Sequence, residues 1–276
     1  MNVKGAYMDV IAVANQKGGV SKTTTSHALA IEFSETLKKK VLLIDFDPQA
    51  SLTTIFNLKG KDFIGTHVSN VAKIFDKECP EPIKLSDTLF FLPANKDLTT
   101  KGESAIKAKE MMLSRYIKEI EGHYDIVLID TNPKFDSLVV NAILACNKLL
   151  TPIATGSLDE AGTDELFADI SDLLEIYNKS IDAVFLLPTK FNKSRNDDKE
   201  VLAVIQTSAP RYLKTLEPFK STHIEVLDTI PERAVFKDAV GARFGVRKYI
   251  EEYQTSKKDI LLILENVAKQ ILKGGK

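Results

Sequence analysis

Seven short, largely apolar stretches recur along the chain, at residues 10–14, 41–44, 89–95, 124–131, 149–153, 183–189 and 223–227. Each is the length of one strand, and most are apolar on both alternating faces, as strands buried in a parallel sheet must be. Between them lie segments with helical spacing: 25–38, 135–145, 199–216, 256–272 and one that starts at Ser157. Residues 50–75 read as helix, loop and short helix, punctuated by Gly60 and Gly65. Residues 101–121 carry Ile106, Met111, Leu113, Ile117 and Ile120 on roughly one face and read as a surface helix. The alternation predicts an α/β fold, a doubly wound, mostly parallel sheet flanked by helices.

Length and charge narrow the class further. The 276 residues fit one domain, expected over 1–276, and with few residues ahead of the first strand no N-terminal helix-turn-helix domain is expected. With 37 basic and 38 acidic residues, any nucleic-acid surface must be local. Cys79 and Cys146 are far apart, without metal-type spacing, which suits a reducing cytoplasm. No signal-like opening or bilayer-length apolar run is present, so a cytoplasmic protein with no membrane partner is expected. The last helix is apolar over too broad a face for a membrane-binding tail; covering the sheet is its expected role.

The most informative stretch follows the first strand: Asn15-Gln16-Lys17-Gly18-Gly19-Val20-Ser21-Lys22-Thr23-Thr24. Two glycines let backbone amides approach an anion, and the helix that follows turns its positive end toward the same place. Lys22 would bind the β- and γ-phosphates and the Thr23 hydroxyl would ligate Mg²⁺, as these residue types do in a P-loop. The expected nucleotide contacts are Gly18, Gly19, Val20, Ser21, Lys22, Thr23 and Thr24. Gln16 and Ser21 stand where the common P-loop has glycines, and a residue forced to positive φ at Ser21 would cost about 1–2 kcal/mol.

The Lys-Gly-Gly-x-x-Lys-Thr run with the additional Lys17 resembles the deviant Walker A motif of the ParA/MinD superfamily of P-loop ATPases. In that family the extra lysine implies a side chain that reaches the partner's nucleotide across a homodimer with two sandwiched ATP molecules. A solvated loop lysine is the plainer alternative for Lys17.

Three carboxylates sit at predicted strand ends. Asp45 and Asp47, in Asp45-Phe46-Asp47-Pro48-Gln49, share a side of their strand by alternation, so both could face phosphates or Mg²⁺. The run also resembles the second nucleotide motif of the family's DNA-partitioning branch. That resemblance implies that Asp47 positions the attacking water and that Asp45 supports the metal shell. Asp130 ends an apolar strand as a Walker B aspartate does, expected to hold Mg²⁺ through water and to accept from Thr23. Relatives follow it with a residue and two prolines; here Thr131-Asn132-Pro133 has one.

The remaining candidates are spread over the second half. The family resemblance makes Asp159, Glu160 and Gly162 dimer-interface candidates, with an acidic first helical turn as the alternative. Thr189, Lys190 and Asn192 leave a strand where related folds place base-binding loops, and Pro231 lies in a segment resembling the family's adenine-flanking Ile-Pro pair. Arg195 stands where many ParA-like sequences have a DNA-linked arginine, and a solvated loop residue is the competing reading. Arg233, Lys237, Arg243, Arg247 and Lys248 concentrate positive charge that could neutralise DNA phosphates without reading bases, or form a solvated basic face.

The resemblance implies a ParA-like ATPase for plasmid or chromosome partition: ATP and Mg²⁺ would close a dimer, non-specific DNA would retain it, and a ParB-like centromere-binding partner would stimulate slow hydrolysis. Such a protein would be nucleoid-associated when ATP-bound. Rival readings are a MinD-like membrane-cycling ATPase, a nitrogenase-iron-protein-like reductase, which the cysteine settings disfavour, and a nucleotide-binding interaction module with little turnover.

Overall fold

The computed structural model describes residues 7–56, 69–156, 160–241, 246–254 and 257–275. Asp159 and Arg243 lie outside the described residues, as do the side chains of Glu160, Gly162 and Lys237.

Among the described residues eight strands form one sheet: β1 Asp9–Val13, β2 Val41–Phe46, β3 Ile83–Lys84, β4 Leu89–Leu92, β5 Ile126–Thr131, β6 Lys148–Ala154, β7 Ala183–Thr189 and β8 His223–Val226. Their spatial order is β3-β4-β2-β5-β1-β6-β7-β8, parallel throughout except for the antiparallel edge strand β3. That two-residue strand was not anticipated, because the Pro80 and Pro82 cluster before it reads as a turn. The helices are α1 Lys22–Ile31, α2 Ser51–Ile55, α3 Asp97–Glu103, α4 Met112–Glu119, α5 Ser137–Ala145, α6 Glu160–Ile176, α7 Asn196–Leu213, α8 Ala234–Gly241, α9 Val246–Tyr253 and α10 Lys258–Lys273.

The sheet is buried on both faces by two separate apolar layers. Strand residues of one parity, including Val10, Ala12, Leu42, Ile44, Val127 and Ile129, join one core with buried residues of α4, α5, α6 and α7. Their alternates Ile11, Val13, Leu43, Leu128 and Leu150 join a second core with α1, α8, α9 and α10. Strict alternation sends consecutive side chains to opposite layers, so the central strands are largely apolar on both faces. Ile260, Leu264, Val267 and Ile271 of α10 lie in the second layer, so this helix covers the sheet. Among the described residues no helix is long and apolar enough to cross a membrane.

Two helical expectations are revised. The segment 101–121 is not one helix: α3 ends at Glu103, and a 3-10 turn, Lys109–Met111, precedes α4. The break is set by packing. A Cβ on Gly102 would lie 3.0 Å from Leu138 Cδ2, and the Gly102 carbonyl accepts from Ser137 Oγ and Lys109 Nζ instead of continuing a helix. The first helix starts earlier than Thr25, at Lys22, and runs on as a π-helical turn, Glu32–Thr36.

Candidate nucleotide site

The strand order determines where chemistry can gather. β5 lies between β1 and β2, with Val13 paired to Asp130 on one side and Asp45 paired to Asp130 on the other. The carboxyl ends of three adjacent parallel strands therefore deliver the glycine-rich loop, the Asp45-x-Asp47 run and Asp130 to one rim, where open α/β sheets bind ligands.

A cleft of about 960 Å³ opens there. Gly18, Gly19, Ser21, Lys22, Thr23 and Thr24 line it together with Asp47, Gln49, Thr189, Lys190, Pro231 and Arg233. A Cβ on Gly18 or Gly19 would meet nothing within 4 Å, so the loop faces open space, and Gly19 takes φ 76°, the left-handed region. Ser21 adopts φ 76° as well, caps α1 without a side-chain hydrogen bond, and carries the strain expected of a non-glycine there. Ala50 at φ 52° and Lys190 at φ 57° add two more left-handed residues around the same rim. Such strain concentrates at ligand sites.

Lys22 is buried, and its Nζ donates to the carbonyls of Asn15 at 2.8 Å and Lys17 at 3.0 Å. Burial lowers its pKa, opposed by the negative charges of Asp130 and Asp47. Asn15 locks the start of the loop: Nδ2 donates to Pro152 O in β6, while Oδ1 accepts from the Lys17 amide, each at 2.8 Å. The Lys17 side chain is half-buried. Val20 is buried beneath the loop rather than in the cleft, where its carbonyl accepts from Thr189 Oγ1.

The three aspartates occupy different environments. Asp45 is fully buried; Oδ2 accepts from the Thr53 amide and hydroxyl and Oδ1 from the Asp47 amide, so it braces the loop between β2 and α2. Burial raises its pKa to about 6. Asp47 lines the cleft, and one of its oxygens accepts from the Gln49 amide. Burial raises its pKa, against the pull of that amide and of Lys22. Asp130 is fully buried; Ser26 Oγ donates to Oδ1 at 2.9 Å, and Oδ2 has no hydrogen-bond partner. Burial and the charge of Asp45 raise its pKa to about 8, although the Thr23 and Ser26 hydroxyls favour the charged form. An orphaned, buried carboxylate oxygen near the Thr23 hydroxyl fits a hard cation held by oxygen donors.

The other candidates occupy different settings. Asn192 does not line the cleft: its amide donates to buried Asp198, and its Oδ1 accepts from Ser194. Arg195 is half-exposed and lies 3.4 Å from Glu232. Arg247 does not belong to a free basic face. It makes paired hydrogen bonds to the buried Glu32, Nε to Oε1 at 3.0 Å and Nη2 to Oε2 at 2.7 Å, and so fastens α9 to the π-helical end of α1. Sequence spacing could not have shown this, because the partners are 215 positions apart. Lys248 lies 3.8 Å from Glu252 on α9. Ser26 and Asn15 were not anticipated as site residues, although both flank the glycine-rich motif.

Comparisons with known proteins place this geometry. The AAA domain family pattern matches residues 8–183. The cell division protein PomZ of Myxococcus xanthus is 32% identical over 207 residues. The chain belongs to the ParA/MinD family of P-loop ATPases. The PomZ match covers 72% of this chain and 63% of PomZ, so the chain spans under two thirds of that relative's length. A plasmid partition protein from Borrelia burgdorferi superposes with TM-score 0.70 at 26% identity, covering 96% of this chain and 98% of that one. Cobyrinic acid a,c-diamide synthase from Mycobacterium smegmatis, solved with bound ADP and magnesium, superposes with TM-score 0.66 at 27% identity, over 91% and 96% of the two chains.

Proposed function

We propose that this chain is a ParA-like partition ATPase that binds ATP with Mg²⁺, closes as a homodimer around two nucleotides, and in that state holds DNA irrespective of sequence. A ParB-like centromere-binding partner then stimulates hydrolysis and release. The observation that carries the reading is the meeting of Lys22, Thr23 and Asp47 at one cleft, with the buried, unpartnered Asp130 oxygen behind Thr23 and the loop that bears Lys17 beside them. The partition protein among its structural relatives supports the assignment to DNA cargo.

Each residue has a distinct task in this reading. Gly18, Gly19 and the α1 amides hold the phosphates, with Lys22 balancing charge on the β- and γ-phosphates. Thr23 and Asp130 would hold Mg²⁺, which would supply neutralisation of charge on the phosphate oxygens. Asp47 orients the attacking water and accepts its hydrogen bond, with its other contact fixed by the Gln49 amide. Water attacks the γ-phosphorus in line as the bond to the bridging oxygen of ADP breaks. Lys17 acts on the partner's nucleotide. Asp45 contributes by holding the loop that carries Asp47, through Thr53. Thr189, Lys190 and Pro231 flank the adenine, and Asp159, Glu160 and Gly162 face the second protomer.

The DNA surface would draw on Arg195, Arg233, Lys237, Arg243 and Lys248; Arg247 is committed to Glu32. The protein would act as a slow cytoplasmic switch, nucleoid-associated while ATP is bound. Titration of duplex DNA against the protein with ATP, ADP or no nucleotide tests this. Retention confined to ATP and weakening steeply with salt is expected. Equal retention in all three states contradicts it.

A further inference from the structure

The loop that carries Lys17 is tied to a helix outside the cleft. Gln16 Nε2 donates to Asp169 Oδ2 at 2.7 Å, across 153 residues of sequence, and both side chains are half-buried. Asp169 lies in the middle of α6, whose neighbouring residues Leu166, Phe167, Ile170 and Leu174 are buried in the core. The helix position of Asp169 is therefore fixed by packing, not by the loop.

The backbone on either side of Gln16 is pinned as well. Asn15 is fastened to β6 through Pro152, the Lys17 amide donates to Asn15 Oδ1, and the Lys17 carbonyl accepts from Lys22 Nζ. Those bonds hold Lys17 to its own loop and to the sheet. The Gln16 bond refers the loop to α6 through a side chain, and α6 is the helix whose first turn carries Glu160 and Gly162.

We propose that Asp169 is a positioning residue for Lys17: through Gln16 it sets the direction in which the loop presents the lysine, and so couples the seating of α6 to ATP turnover. The proposal rests on the role given to Lys17 above. A hydrogen bond to a charged acceptor in a partly desolvated setting is strong enough to bias a short glycine-rich loop. Loss of that bond leaves Lys22, Thr23 and the glycine amides in place, so nucleotide affinity should survive while turnover suffers.

The test is steady-state ATPase activity of the full chain with Mg²⁺ and duplex DNA, for Asp169→Ala, Asp169→Asn, Gln16→Ala, the Gln16→Ala/Asp169→Ala pair and Lys17→Ala. Asp169→Ala should lower kcat about tenfold while KM for ATP stays within about twofold, the size expected when a reacting group is misplaced rather than lost. Asp169→Asn keeps an acceptor oxygen and should restore most of the rate. The double variant should be no slower than either single alanine variant, because both remove one bond. Wild-type kcat in Asp169→Ala, failure of asparagine to rescue, or additive losses in the pair would each overturn the proposal. Lys17→Ala separates the two levels. If it is inactive while Asp169→Ala is normal, only the positioning role falls; if it is fully active, the reading of Lys17 falls and this inference with it.

Discussion

Asp45 and Asp130 are register partners on adjacent parallel strands, both fully buried, and the charge of Asp45 adds to the cost of ionising Asp130. Asp45 offsets that cost with three hydrogen bonds from its own loop, whereas Asp130 has one oxygen without any. The unliganded protein thus carries an electrostatic burden that a bound cation would relieve.

The sign follows from linkage. Burial lifts the Asp130 pKa from 3.8 to about 8, so the folded state holds a proton that the unfolded chain releases, and stability falls as pH rises across that interval. Asp45, at about 6, acts in the same direction over its lower part. Asp130→Asn should therefore melt higher than wild type at pH 8 without nucleotide, by more than about 1 kcal/mol, and the gap should narrow toward pH 5. Thermal melts of the two proteins across that range check it. A variant that melts lower at pH 8 would show that Asp130 is already compensated.

His27 works in the opposite direction. It is buried in α1, edge-on to Phe56 at 5.0 Å, with Nδ1 lacking a hydrogen-bond partner, and burial pushes its pKa from 6.5 to about 4. A histidine kept neutral contributes stability above pH 6.5 that is lost as pH falls toward 4. His27→Phe preserves a ring against Phe56 and should remove that loss, an effect of about 3 kcal/mol at the acid end. The difference between variant and wild-type melts isolates it from the aspartates. A difference that does not change with pH would contradict the assignment.

Arg247 is a structural ion pair, and its substitution should show as lost stability. Arg247→Ala leaves Glu32 charged and buried, supported only by the Thr36 hydroxyl among the bonds described, and should cost about 3–5 kcal/mol. DNA retention by the fraction that stays folded should be unchanged. Loss of retention with an unchanged melting temperature would return Arg247 to the DNA surface.

The sheet was legible because every central strand is apolar on both faces, and the glycine-rich loop because its chemistry is local. Asp47 and Asp130 could be read from their strand-end positions. Asp45 could be seen as a carboxylate near phosphates, but its bonds to Thr53 depend on how the following loop folds back. Arg247 looked like its basic neighbours until Glu32, in a π-helical turn that no spacing pattern marks, was placed against it. Ser21 is the intermediate case: positive φ was foreseeable from the glycine it replaces, and the structure adopts it at φ 76°.

The central claim is that this cleft is half of a dimeric ATP site, and the state of association is its most direct measure. Asp47→Ala should bind ATP yet hydrolyse it about a hundredfold more slowly, and so accumulate the closed form. Light scattering of that variant should give a dimer with ATP and Mg²⁺ and a monomer with ADP, and adding Lys17→Ala should return the ATP state to monomer. A dimer that persists in ATP without Lys17 would contradict the account.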